Sequence, residues 1–294
     1  MTVPDVVPIR FNLQARPNGR DEWLALARDA EADGFESLFV ADHPGSTASP
    51  FVALAAAAAV TQRIRLGSYV ANSGVWDPML LAGELATLDC LSDGRAVFGI
   101  GAGHTPREWT DRGLEYPSAR ARVVRMIEVA EATRDWLEHL DAPRPVQPRI
   151  PLLVGGNGRT VLRFAAAHAD IVGVTGLGAT LADGHSHETR WSAAAIDDDI
   201  GWLRDGARQV ELDALVQFAV LTHDRTEAVA ALAAEYELPA ADILECPFAF
   251  VGTAEEIAAE MVDHANRWGI GRYTVRPDAR DVVAAVRDVW GRDA

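Results

Sequence analysis

Residues 36–45 read ESLFVADHPG, and the fold turns on how this stretch ends. The apolar run Leu38-Phe39-Val40-Ala41 stops at an acid and an imidazole, Asp42 and His43, and a Pro-Gly turn follows at once. A short apolar run bounded by turn residues reads as a buried strand. Upstream lies GRDEWLALARDAEADG, residues 19–34, in which Trp23, Ala27 and Ala30 recur at helical spacing and Gly34 stands where a C-terminal cap belongs. Downstream lies SPFVALAAAAAVT, residues 49–61, a helix whose Pro50 suits the first turn.

The same strand-then-helix rhythm extends along the chain. Further strands are expected in PIRFNLQ (8–14), IRLGSYVAN (64–72), RAVFGIGAG (95–103), IPLLVGGNG (150–158), DIVGVTG (170–176), ALVQFAVLTHD (214–224) and RYTVRP (272–277). Helices are expected between them. One opens at Asp77-Pro78 with Leu81, Leu85 and Leu88 as its buried stripe, and a long one runs from about Ser118 to Leu140. Apolar strands joined by helices imply parallel pairing with both faces covered. Eight such units predict an α/β fold of the (β/α)8 TIM barrel type, with an open doubly wound sheet as the alternative. Nothing linker-like interrupts the pattern, so residues 1–294 are expected to form one domain. Residues 176–192 are polar and glycine-rich and read as an excursion, within a variable insertion spanning about 176–212.

Composition narrows the function. The formal net charge is −16, which repels nucleic-acid backbones and anionic membrane surfaces, so neither is an expected partner. All 27 basic residues are arginine, which excludes Schiff-base lysine chemistry and the Walker A loop. The start shows no secretion signal and no apolar run reaches membrane-spanning length, so a cytoplasmic protein is expected. Cys90 and Cys246 sit in apolar contexts and read as buried, reduced thiols.

In a barrel, functional residues follow the C-terminal ends of strands. His43 is there, able to exchange a proton near neutral pH, with Asp42 beside it. Alternation along a strand would point the two to opposite faces and so to different roles. Asn72 follows the third strand; Gly101, Gly103 and His104 follow the fourth. Residues 155–160, GGNGRT, lead a strand through glycines into a helix whose N–H groups favour an anion such as phosphate, with Arg159 adding a charged fork. GIGAG, residues 99–103, is not a dinucleotide fingerprint, since position 104 is histidine; its glycines instead make room for a flat ligand. The pair His185 and His187 is too loose for a metal site, and none is expected.

Five segments carry a family resemblance: ARDAEADGFESLFVADH, TQRIRLGSYV, DPMLLAGELATLDCLSDGRAVFGIGAG, PLLVGGNGRTVLRFAAAHADIV and GTAEEIAAEM. Through them the chain resembles the bacterial luciferase-like monooxygenase superfamily, and within it the deazaflavin (coenzyme F-420) dependent oxidoreductases of actinobacteria. The resemblance implies hydride transfer between coenzyme F-420 and a small organic substrate, with FMN and dioxygen, fed by a flavin reductase partner, as the alternative. A non-catalytic flavin-binding barrel is a third reading. The resemblance further implies a homodimer, Asp42 as a cofactor contact, His43 as the catalytic proton carrier and a non-proline cis peptide at Tyr69-Val70. It places more of the cofactor site on Asn72, on Ala102, Gly103 and His104, and on Gly155, Gly156, Asn157, Gly158 and Arg159. Some relatives carry an acid where this chain has His104. Specificity is expected from loops 104–117 and 176–192, with Trp76, Trp109 and Trp191 as apolar walls.

Overall fold

The computed structural model describes residues 8–181, 186–204, 206 and 208–292. Thirteen strands are present among them: β1 Arg10–Gln14, β2 Ser37–Val40, β3 Arg65–Ser68, β4 Ala71–Asn72, β5 Ala96–Gly101, β6 Leu152–Gly155, β7 Ile171–Val174, β8 Leu177–Thr180, β9 His187–Thr189, β10 Glu211–Leu215, β11 Phe218–Leu221, β12 Ala249–Gly252 and β13 Ile270–Val275. The helices are α1 Arg20–Ala32, α2 Pro50–Ala58, α3 Pro78–Leu91, α4 Arg107–Thr110, α5 Ala119–His139, α6 Arg159–His168, α7 Ala193–Arg204, α8 Arg225–Tyr236, α9 Ala240–Glu245, α10 Ala254–Trp268 and α11 Arg280–Arg292.

The main sheet runs β3-β2-β1-β13-β10-β7-β6-β5, and β3 pairs with β5 to close it. All these pairings are parallel, so the eight-stranded (β/α)8 barrel expected from the sequence is present. The third barrel strand is broken after Ser68 by the cis peptide Tyr69-Val70, and β4 resumes pairing with β5. Helix starts follow the sequence signals. The Asp77 carboxylate accepts from the Met79 and Leu80 N–H groups, and the Ser118 hydroxyl accepts from Ala121 N–H.

Two stretches differ from the sequence reading. Residues 214–224 are two strands, not one: β10 belongs to the barrel, while β11 leaves it and pairs with β12. The excursion after β7 contains an antiparallel hairpin, β8 with β9.

The core has two shells. The larger fills the space between strands and helices and includes Leu13, Leu54, Leu85, Phe98 and Ile257. The smaller lies inside the barrel: Phe39, Tyr69, Val97, Leu153, Ile171 and Leu215. Each such side chain contributes on the order of 1.5–3 kcal/mol by leaving water. One interior sector is polar. Asn12 Nδ2 donates to Asp213 Oδ2 at 2.7 Å, Thr274 Oγ1 donates to Asp213 Oδ1 at 2.7 Å, and Arg272 pairs with Glu36 and Glu211 at 2.8 Å each. Burial pushes the Asp213 carboxyl up to about 6. Cys246 is buried as expected, but Cys90 is exposed, because it follows Leu88 by two positions and so lies about 200° round α3 from the buried stripe. No helix among the described residues is long and apolar enough to cross a membrane.

Candidate active site

The C-terminal ends of the barrel strands open into a cavity of about 1120 Å³. Every site residue expected from the sequence lines it: Asp42, His43, Tyr69, Val70, Asn72, Ala102, Gly103, His104, Gly155, Gly156, Asn157, Gly158 and Arg159. Asp42 and His43 both face this cavity. The expected alternation fails because β2 ends at Val40 and the pair sits in the loop beyond it. What separates the two is their partners.

Asp42 Oδ2 accepts from Asn72 N–H at 3.0 Å and from Trp76 Nε1 at 2.7 Å. Burial raises the Asp42 pKa, and those two donors oppose the rise. Asn72 is almost wholly buried and both ends of its amide are engaged. Its Nδ2 donates to Glu108 Oε2, and its Oδ1 accepts from Gly74 N–H at 2.9 Å. Asn72 is therefore a brace between strand and loop. Glu108 Oε1 in turn lies 2.7 Å from His43 Nδ1. A carboxylate only accepts, so Nδ1 carries the shared hydrogen and Nε2 is left for the cavity.

Glu108 is the residue that sequence reasoning missed. Its side chain is 3% exposed, and it comes from α4, a single turn after β5. Gly103 lies in the loop that leads from β5 into α4. It has φ of +69°, and a Cβ there would meet Trp109 Cη2 at 2.6 Å as well as Asn72 Oδ1. Trp109 is thus buried packing that pins α4 to the barrel. None of Trp76, Trp109 and Trp191 lines the cavity: Trp76 holds Asp42, and Trp191 packs between Phe218 and Phe248. The indole on the cavity wall is that of Trp202.

The glycine loop lies on the same cavity. Gly158 is the N-cap of α6, has φ of +89° and supplies no side-chain cap, and a Cβ there would stand in open space. The first N–H groups of α6 are thus without a cap, beside the Arg159 guanidinium, which stacks 4.5 Å over the Trp202 ring. Asn157 ties the loop down through hydrogen bonds from its Nδ2 to Thr175 Oγ1 and the Leu177 carbonyl. On the outer wall, His104 meets His43 and His187 edge-to-face, with ring centroids at 5.3 and 4.5 Å. His185 lies outside the described residues. The arrangement offers a proton-bearing imidazole, an anion cradle and space for a flat molecule between them.

The luciferase-like monooxygenase family model matches residues 6–245. An uncharacterized protein of Mycobacterium tuberculosis is 37% identical over 172 residues, 46% of this chain; the match spans only 60% of that relative's length. An F-420-dependent glucose-6-phosphate dehydrogenase of Nakamurella multipartita is 30% identical over 91% of this chain and 84% of its own. Among solved structures, an F-420-dependent secondary alcohol dehydrogenase superposes with a TM-score of 0.72 at 19% identity, covering 95% of this chain and 99% of that one.

Proposed function

This chain belongs to the luciferase-like monooxygenase family, and on that premise we propose that it is an oxidoreductase moving a hydride between coenzyme F-420 and a small organic substrate at the barrel mouth. The observation that carries this reading is the hydrogen-bonded chain Asp42–Asn72–Glu108–His43, built into the same cavity as the uncapped glycine loop. A relative from Nakamurella that matches 91% of this chain is itself named as F-420-dependent.

The residues fit such a cofactor. Gly155 to Gly158 and the N-terminus of α6, with Arg159, would take its phosphate. Gly101, Ala102 and the Tyr69-Val70 backbone would lie against its ring, with Asp42 Oδ1 at the edge. When bound, the deazaflavin supplies the hydride chemistry. His43 manages the proton. Glu108 fixes its ring and tautomer, so that Nε2 takes or returns a proton at the substrate oxygen. Asn72 holds Glu108 in place, and Asp42 holds Asn72.

Thermal shifts measured with coenzyme F-420 and with FMN test the cofactor, since a ligand that binds the folded state raises its melting temperature. A shift with coenzyme F-420 supports the reading; a shift with FMN alone replaces it by reduced-flavin monooxygenation. We further propose a homodimer, supported by the exposed Val52, Met79, Leu80 and Leu91 on the packed helices α2 and α3. Sedimentation at twice the 31.7 kDa chain mass would support it, and a monomer would end it.

A further inference from the structure

Four arginines reach the cavity wall: Arg122, Arg159, Arg190 and Arg276. Three have partners. Arg122 donates to the Gly103 carbonyl at 2.9 Å and the Pro117 carbonyl at 2.6 Å; Arg190 pairs with Asp199 at 3.1 Å; Arg159 stacks on Trp202 at 4.5 Å. No hydrogen bond or ion pair with a described residue holds the half-buried Arg276 side chain. Burial lowers its pKa, and the charge of Asp278 opposes the fall.

Its place in the barrel sharpens the contrast. Strand alternation points Arg272 and Thr274 inward, and Arg276, one residue past β13 in extended backbone, continues that file onto the cavity wall. At the bottom of that file, Arg272 sits among Glu36, Glu211 and Asp213. At the top, the pairings Leu13 with Val275 and Leu215 with Thr274 carry Arg276 between the ends of β1 and β10. Its neighbours on the cavity wall there are Gln14, Leu215 and Gln217. Both amides already give an N–H away, Gln14 to the Tyr69 carbonyl at 2.6 Å and Gln217 to the Leu215 carbonyl at 3.0 Å, and neither carries charge. The chain has 43 acidic residues against 27 basic ones, so an arginine without an acid is a costly exception.

We propose that Arg276 is the specificity-determining anchor for the substrate, and that the substrate carries a single carboxylate. The proposal rests on the oxidoreductase reading of this cavity. A planar guanidinium pairs two N–H groups with the two oxygens of a carboxylate. One cation balances one negative charge; a phosphate dianion would leave charge beside two amides. The glycine loop, on the other side of the cavity at β6 and α6, keeps its own arginine for the cofactor.

The test uses Arg276→Gln and Arg276→Lys beside the unaltered protein. Acetate, benzoate and 3-phenylpropanoate, each with its primary amide, are titrated with and without saturating coenzyme F-420. At least one acid should bind about tenfold more tightly than its amide. Arg276→Gln should abolish that preference, and Arg276→Lys should keep part of it. Without ligand, Arg276→Gln should melt at the same temperature as the unaltered protein or higher, because no internal partner is lost. Equal binding of every acid and amide overturns the proposal, as does a preference that survives in Arg276→Gln. A fall of several degrees in the ligand-free melting temperature also overturns it, by making Arg276 structural. A tenfold loss of coenzyme F-420 affinity in Arg276→Gln would hand the residue to the cofactor. Failure of the unaltered protein to bind coenzyme F-420 strikes the cofactor reading alone, since the acid–amide comparison is also read without it.

Discussion

Glu108 stands between His43 and Asn72, with Oε1 2.7 Å from His43 Nδ1 and Oε2 accepting from Asn72 Nδ2. The three come from separate segments, the loop after β2, strand β4 and helix α4, so the contact holds one side of the mouth together. It also decides which nitrogen of His43 faces the cavity.

Replacing Glu108 by Gln should invert that choice. The Gln oxygen can keep the Asn72 bond, which turns its amide N–H toward His43 Nδ1 and makes that nitrogen an acceptor. Nε2 then carries the hydrogen and cannot take a proton. Turnover should fall by about 100-fold with coenzyme F-420 affinity nearly unchanged. Nitrogen NMR shifts of His43 should report the switch of tautomer without any substrate. An unaltered His43 spectrum would remove Glu108 from this role.

Gly103→Ala should be far more damaging than Gly113→Ala. Both glycines have positive φ, +69° and +73°, but only Gly103 faces atoms that a methyl would strike. The backbone term alone costs about 1–2 kcal/mol, and forcing a methyl against Trp109 and Asn72 adds roughly 1–3 kcal/mol. Urea unfolding should show the difference. Equal losses would mean that the turn tolerates the contact.

His264 makes the protein acid-sensitive. Burial lowers its pKa to about 4, while its ring bonds the Tyr273 hydroxyl and the Glu245 carbonyl. A histidine whose folded pKa is depressed contributes fully above its unfolded value, and that contribution is lost as pH falls toward the folded one. The window is therefore about pH 6.5 down to about 4. Between pH 7 and 5, His264→Gln should lose less stability than the unaltered protein by roughly 2 kcal/mol. Parallel losses would contradict the assignment.

The barrel was legible because its signals are local. Apolar runs ending at glycine, Asp77 and Ser118 at helix starts, and Gly34 at a helix end each act within a few residues. The placement of the candidate residues at the barrel mouth was legible because strand order fixes where loops emerge. Residues 214–224 were not, because an apolar run does not show which sheet each half joins. Glu108 was hidden for a related reason. Residues 104–117 read as a loop, and the burial of Glu108 within them depends on partners 65 and 36 residues away. The tryptophans misled because size alone does not tell a cavity wall from a packed core.

The central claim is that this mouth binds a deazaflavin with its phosphate on the glycine loop. Its most direct test is titration of the purified protein, and of Arg159→Gln, with coenzyme F-420, followed by quenching of the deazaflavin fluorescence. The account predicts saturable binding at micromolar concentration or tighter, weakened about fivefold to tenfold in Arg159→Gln by loss of one charged contact beside the α6 N-terminus. Absence of saturable binding, or binding that Arg159→Gln leaves unchanged, would contradict it.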